Sequence, residues 1–136
     1  MSVTVLLITH GDAGTALIGS SEMILGHEHD LLALPLNPGT SFEELFAQAA
    51  SIIEAAGNPT LILVDVYGGT PANVAMALSK SPGVRCVSGL NLGMLLEVLS
   101  MRDSVEVPSL HNLKRIAQSA GIAACRAFAY EDTERR

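Results

Sequence analysis

Apolar positions fall along this chain in two alternating rhythms. Residues 3–9 (Val-Thr-Val-Leu-Leu-Ile-Thr) form a nearly unbroken run of aliphatic and β-branched side chains that stops at His10-Gly11. Such a run, without polar alternation, predicts a strand buried on both faces, as in a parallel sheet. Residues 13–25 then space Ala16, Leu17, Met23 and Ile24 as a helix does, with Gly26 to end it. Residues 31–36 predict a second short strand and Asn37-Pro38-Gly39 a turn. Ser41-Phe42-Glu43-Glu44 has the form of a capping box, in which the Ser hydroxyl takes the Glu44 backbone N–H and the Glu44 side chain answers the Ser backbone. The helix it opens puts Leu45, Phe46, Ala49, Ile52, Ile53 and Ala56 on one face and ends at Gly57-Asn58-Pro59.

The rhythm repeats in the second half. Residues 60–66 predict a third buried strand, and Tyr67-Gly68-Gly69 turns the chain. Thr70-Pro71 offers an N-cap hydroxyl and then a proline at the first helical position, for a helix reaching about residue 79. Residues 84–88 predict a fourth strand. Gly89-Leu90-Asn91 leads into a helix over about 92–101, and a polar connection at 103–108 precedes a last helix over 109–120, which Gly121 should cap. Residues 122–130 read either as a fifth strand or as more helix, and 131–136 as a frayed tail after a single domain spanning 1–130.

Strands alternating with helices predict an α/β domain, doubly wound, with a mainly parallel sheet and helices on both faces. Right-handed crossovers make 2-1-3-4 the simplest strand order. Ligands bind such sheets beyond the carboxyl ends of the strands, where strand order reverses. Here that point lies between the first and third strands, so His10 and Asp65, remote in sequence, should be neighbours.

Composition narrows the function classes. In 136 residues, 49% are hydrophobic and 4% aromatic with no Trp, so the core must be built from Leu, Ile, Val and Ala. The longest apolar runs are strand length, far short of the roughly 20 residues of a membrane span. The start, Met1-Ser2-Val3-Thr4, lacks the basic region of a secretory signal. A net charge of −6 argues against nucleic acid. Cys86 and Cys125 lie too far apart for a metal spacing and read as reduced, small core hydrophobes of a cytoplasmic protein. Met23, Met76, Met94 and Met101 read as core filling. His27 and His29, next to Glu28 and Asp30, read as a solvated loop rather than a metal clamp, and His111 as surface; no metal and no cofactor is expected.

The chemistry of the remaining polar residues is coherent. Imidazole, with a pKa of about 6.5, keeps a neutral nucleophilic fraction at cell pH. A carboxylate accepting the Nδ1 proton would fix the tautomer, free Nε2 to attack and stabilise the growing ring charge. Gly68, Gly69 and Thr70, with Gly11 on the facing turn, could cradle phosphoryl oxygens at the mouth of the next helix. Thr9 and Asn91 stand within reach of the same crevice, although capping the next helix is an equal use of Asn91. The catalytic candidates are therefore His10 and Asp65, and the phosphate-binding candidates Gly11, Gly68, Gly69 and Thr70.

At these residues the sequence resembles the mannose-type enzyme IIA component of the phosphoenolpyruvate-dependent sugar phosphotransferase system, over about residues 3–128. Thr9-His10-Gly11 is similar to that family's phosphorylation site. Ser21-Glu22-Met23-Ile24-Leu25-Gly26 is similar to its first-helix ending, and Pro38-Gly39 to the turn after its second strand. The stretch from Val64 to Asn73 (Val-Asp-Val-Tyr-Gly-Gly-Thr-Pro-Ala-Asn) resembles its most diagnostic block, and Gly89-Leu90-Asn91-Leu92 and Met94-Leu95 resemble its fourth-strand exit and following helix. The resemblance implies a cytoplasmic phosphocarrier and phosphotransferase. Phosphorylated HPr would donate to His10 at Nε2, and a histidine of enzyme IIB would accept. It implies contact with the membrane only through a permease complex, and a homodimer exchanging an antiparallel C-terminal strand, for which residues 122–129 are the candidate. With no linker after Arg136, enzyme IIB is expected as a separate protein, and a regulatory role is open. The rivals are the phosphocarrier subunit of dihydroxyacetone kinase, a non-catalytic sensor whose crevice binds an anion or a partner, and a small hydrolase using His10 and Asp65 on water.

Overall fold

The computed structural model describes residues 2–131; of the expected tail at 131–136, residues 132–136 lie outside the described residues. Nine elements follow one another: β1 (Thr4–His10), α1 (Ala13–Leu25), β2 (Leu31–Leu36), α2 (Phe42–Ala56), β3 (Thr60–Val64), α3 (Thr70–Leu78), β4 (Val84–Val87), α4 (Leu92–Arg102) and α5 (Leu110–Ala123). The sheet order is β2-β1-β3-β4 and every pairing is parallel, as the crossover argument requires. In register, His10 pairs with Leu36 at one end of β1, and Thr4 pairs with Thr60 at the other.

Alternation along the strands divides the core in two. Val5, Leu7, Leu61, Leu63 and Val87 face Leu17 and Ile18 of α1, Leu95, Val98 and Leu99 of α4, and Leu113 and Ala117 of α5. Leu6, Ile8, Ile62, Val64 and Val84 face the other way, against Leu45 and Ala49 of α2 and Val74, Ala75 and Leu78 of α3. Three helices on one face and two on the other bury the central strands except at His10, which is why β1 and β3 carry no polar alternation. Each fully buried Leu or Ile contributes about 1.5–3 kcal/mol, and this term holds the layers together. The Ser41 capping box forms with both bonds in place, Glu44 N–H to Ser41 Oγ at 3.1 Å and Ser41 N–H to Glu44 Oε1 at 3.3 Å.

Several expectations need correction. α5 does not stop at Gly121 but runs to Ala123, with Ala124 as its C-cap. The reason is packing: a Cβ at Gly121 would fall 2.5 Å from Cε of Met94, so this glycine lets α5 close on α4. Ile122 and Ala123 therefore finish a helix, residues 125–129 carry neither helix nor strand, and no fifth strand forms among the described residues. Cys125 lies in this exposed stretch and is no core residue, while Cys86 on β4 is half-buried. Met23 is 89% exposed and Met76 60%, because the inward side of α1 is set by Gly14, Leu17, Ile18 and Ser21, and that of α3 by Pro71, Val74, Ala75 and Leu78. Met94 is buried and Met101 packs against the core, as expected.

Candidate functional site

β1 delivers His10 to the carboxyl end of the sheet as its last and only exposed residue. Gly11 follows with φ +56°, a left-handed turn that a glycine takes without strain, and its N–H donates to the Leu36 carbonyl at 2.8 Å. On the neighbouring strand, β3 ends at Val64 rather than at residue 66, so Asp65 already belongs to the turn. The strand stops early because the Asp65 side chain folds back onto its own turn: Oδ1 accepts the Val66 N–H at 3.0 Å.

The other carboxylate oxygen faces His10. Asp65 Oδ2 accepts the His10 backbone N–H at 2.9 Å and lies 2.9 Å from ring Nδ1. One oxygen thus fixes both the backbone and the ring of the same residue. Burial alone would raise the Asp65 pKa. The His10 backbone and ring bonds, the Val66 N–H and the nearby imidazole outweigh it and hold the carboxyl below its ordinary range. An ionised carboxylate only accepts, so Nδ1 carries the hydrogen and donates, which leaves the lone pair on Nε2. The His10 side chain is 51% exposed, so an incoming group can reach the ring.

Gly69 forms the wall of this opening. It has φ +98°, and a Cβ there would sit 3.3 Å from both Cε1 and Nε2 of His10. It is also the N-cap of α3, so the helix begins one residue earlier than expected, Thr70 and Pro71 are its first and second residues, and no side chain caps it. The unsatisfied N–H groups and positive dipole end of α3 therefore lie beside the imidazole with no hydroxyl covering them. Gly68 is exposed on the same turn. Lysine and arginine are absent from residues 9–12 and 65–71, so within these two turns the positive field comes from backbone dipoles.

Two crevice candidates are used differently. Thr9 is buried beneath His10, accepting the Gly14 N–H at 3.0 Å and donating to the Gly11 carbonyl at 3.2 Å. Asn91 caps α4 by accepting the Met94 N–H at 2.9 Å, and its Nδ2 donates to the Gly121 carbonyl at 3.0 Å. Both ends of its amide thus serve the α4–α5 junction. What the sequence reading missed is Gly14, whose lack of a Cβ lets α1 approach Leu7 and Thr9. The signal was a small residue four positions after a strand-end histidine, too common to single out. Among the described residues no group of three or more His, Cys, Asp or Glu could hold a metal ion.

The profile of a family described as "PTS system fructose IIA component", EIIA-man, matches residues 4–114, from the start of β1 into α5. The chain belongs to this mannose-type enzyme IIA family. It is 37% identical over 123 residues to the PTS system fructose-specific EIIA component of Bacillus subtilis (strain 168), covering 87% of this chain and 84% of that protein. It is 30% identical over 140 residues to the PTS system mannose-specific EIIAB component of Escherichia coli (strain K12), covering 99% of this chain but only 42% of that longer protein. The solved mannose/sorbose-specific IIA subunit of the phosphotransferase system from Enterococcus faecalis superposes with a TM-score of 0.84 at 32% identity, covering 95% of this chain and 96% of that one. Among the described residues no helix is long and apolar enough to cross a membrane.

Proposed function

We propose that this enzyme IIA component carries a phosphoryl group on Nε2 of His10, taken from phosphorylated HPr and passed to a histidine of an enzyme IIB. The observation that carries the reading is the 2.9 Å contact between Nδ1 of His10 and Oδ2 of Asp65, with the His10 side chain half exposed. The Nε2 lone pair attacks phosphorus and forms the new N–P bond. The donor's N–P bond breaks, and its electron pair returns to the donor imidazole. The Nδ1 proton stays in place, and the charge that develops on the ring is balanced by Asp65. Gly69 leaves room for the phosphoryl oxygens, and the first N–H groups of α3 and the Gly68–Thr70 turn face them, with Gly11 on the opposite side. Transfer to enzyme IIB is the same step in reverse, with no cofactor.

The protein acts in the cytoplasm and reaches the membrane only through a permease complex. It functions as a homodimer, for which two features speak. Among the described residues β4 is a sheet edge paired only with β3, beside a cleft of about 910 Å³ that its residues line with Lys80 and Lys114. Residues 125–129 have no regular structure and carry an exposed Phe128.

The test is intact-mass spectrometry after incubation with enzyme I, HPr and phosphoenolpyruvate. A gain of one acid-labile phosphoryl group, lost in His10→Ala, is expected. Label of the same kind on His10→Ala overturns the assignment. Offering the labelled protein to an enzyme IIB and to the dihydroxyacetone kinase subunits separates the two carriers.

A further inference from the structure

We propose that Thr9 is a positioning residue for His10: its buried hydroxyl clamps the turn that carries the imidazole and so keeps Nδ1 on Asp65. The rate consequence rests on the phosphocarrier reading above, whereas the ring geometry does not.

Thr9 places a polar group where none is needed for burial. Thr9 is 1% exposed, at the end of a strand otherwise filled mainly by Val, Leu and Ile. Valine has the same shape and would bury there without desolvating a hydroxyl. Thr4, buried in the same strand, leaves its Oγ1 without a partner among the described residues. Thr9 instead uses its hydroxyl as donor and acceptor at once, and both bonds span the His10 turn. It donates to Gly11 O, one residue beyond the imidazole, and accepts from Gly14 N–H, the second residue of α1.

That second bond replaces a missing cap. Asp12, the N-cap of α1, makes no side-chain bond to the helix, so the N–H groups of its first turn lack their usual acceptor. Thr9 supplies one from the strand side of the turn. Gly14 makes the reach feasible, since a Cβ there would stand 3.1 Å from Leu7 Cβ and 3.4 Å from Thr9 Oγ1. The turn at residues 10–12 is thus tied to β1 and α1 by Thr9, to β2 by the bond from Gly11 N–H to Leu36 O, and to the β3 turn by Asp65. Without the hydroxyl the Gly14 N–H is left buried and unpaired. The turn then relaxes toward water, and the single oxygen that must meet both the backbone and the ring of His10 loses its alignment.

Three measurements decide this. In nitrogen NMR of the unphosphorylated protein, wild type and Thr9→Ser should show the His10 ring as the Nδ1–H tautomer, and Thr9→Val a mixture of tautomers. Phosphoryl acceptance from phosphorylated HPr should fall by about ten- to a hundredfold in Thr9→Val and stay near wild type in Thr9→Ser. A folded Thr9→Val with the wild-type tautomer and rate, altered only in melting temperature, overturns the proposal. In wild type, slow hydrogen exchange at the Gly14 amide is expected; exchange as fast as an open loop overturns the clamp without any variant. A wild type that accepts no phosphoryl group defeats the carrier reading, while the tautomer comparison still decides the role of Thr9.

Discussion

Gly69 lies so close to the His10 ring that a Cβ on it would come within 3.3 Å of both Cε1 and Nε2. Its φ of +98° adds a backbone reason for glycine, since an L side chain there costs on the order of 1–3 kcal/mol. Gly69→Ala is therefore expected to destabilise the protein by about that amount and to slow phosphorylation further, by crowding the nitrogen that receives phosphorus. Acceptance rates per folded molecule, with denaturant melts alongside, separate the two effects. An Ala variant phosphorylated at the wild-type rate would show that the Gly69 wall leaves Nε2 untouched.

Asp65→Asn keeps an oxygen that can accept from the His10 backbone but removes the charge that balances the ring. By analogy with the aspartate of a catalytic triad, phosphoryl acceptance should drop by about 10²–10⁴-fold with the fold intact. The same residue predicts a pH dependence of stability. The native Asp65 carboxyl titrates below its ordinary 3.8, so the charged form is favoured on folding. Its contribution is present above pH 3.8 and is lost as pH falls through the lower native value. Denaturation from pH 5 to pH 2, about the span of carboxyl titration, should show wild type losing stability relative to Asp65→Asn. Parallel curves would remove the carboxylate from the account.

The elements that position the site were legible because burial writes itself into sequence. Continuous apolar runs marked β1 and β3 as central parallel strands, and the two polar residues at their ends, His10 and Asp65, met as the strand order required. Departures came where a local signal competed with a tertiary contact that sequence does not display. Thr70-Pro71 looked like a cap, but Gly69 takes that place so that the turn can approach the His10 ring. Asp65 was drawn into a strand by the apolar Val66 beside it, yet its hydrogen bonds close a turn. Met23 and Met76 carried an apolar label without a position on the inward face of their helices.

Gly121 is a glycine whose missing Cβ makes room for a neighbouring side chain. Gly121→Ala should destabilise by about 1–3 kcal/mol, the cost of inserting a methyl into filled space. Shortening the neighbour in Met94→Ala/Gly121→Ala should recover part of the loss, because the clash is with Met94 Cε. A double-mutant cycle on thermal or denaturant melts reads the coupling. Strict additivity would mean that the two residues do not meet.

Arg102 has no part in the site, yet its guanidinium is fully buried. It donates to the carbonyls of Val3 at 3.1 Å, Asp30 at 2.9 Å and His29 at 2.6 Å, and Glu28 stands at 3.6 Å. These carbonyls lie at the opening ends of β1 and β2, across the sheet from His10. Arg102→Met should cost about 2–4 kcal/mol by leaving the Val3 and His29 carbonyls without this donor and the Glu28 carboxylate without its counter-charge, while Asp30 keeps the Val5 N–H. Phosphoryl acceptance per folded molecule should be unchanged. Lysine should not rescue, because one ammonium cannot replace a fork of donors. A variant of wild-type stability would show that water serves these carbonyls as well as Arg102 does.

The two thiols should separate cleanly by reactivity. Cys125 is exposed, while Cys86 is half-buried on β4, its Sγ donating to the Ala75 carbonyl at 3.2 Å. Burial pushes the Cys86 pKa up to about 11, with opposing contributions from Ser79 and Arg85. Since the thiolate is the attacking species, alkylation in mildly alkaline buffer should label Cys125 at once and Cys86 only slowly. The raised value also carries a sign for stability. Folding favours the protonated thiol, so the Cys86 contribution is complete below its ordinary 9.0 and is lost as pH rises through about 11. Cys86→Ala should therefore lose less stability than wild type over that alkaline window. Peptide mapping after timed alkylation reads the first expectation and alkaline melts the second; equal labelling of both thiols would contradict the burial from which both are argued.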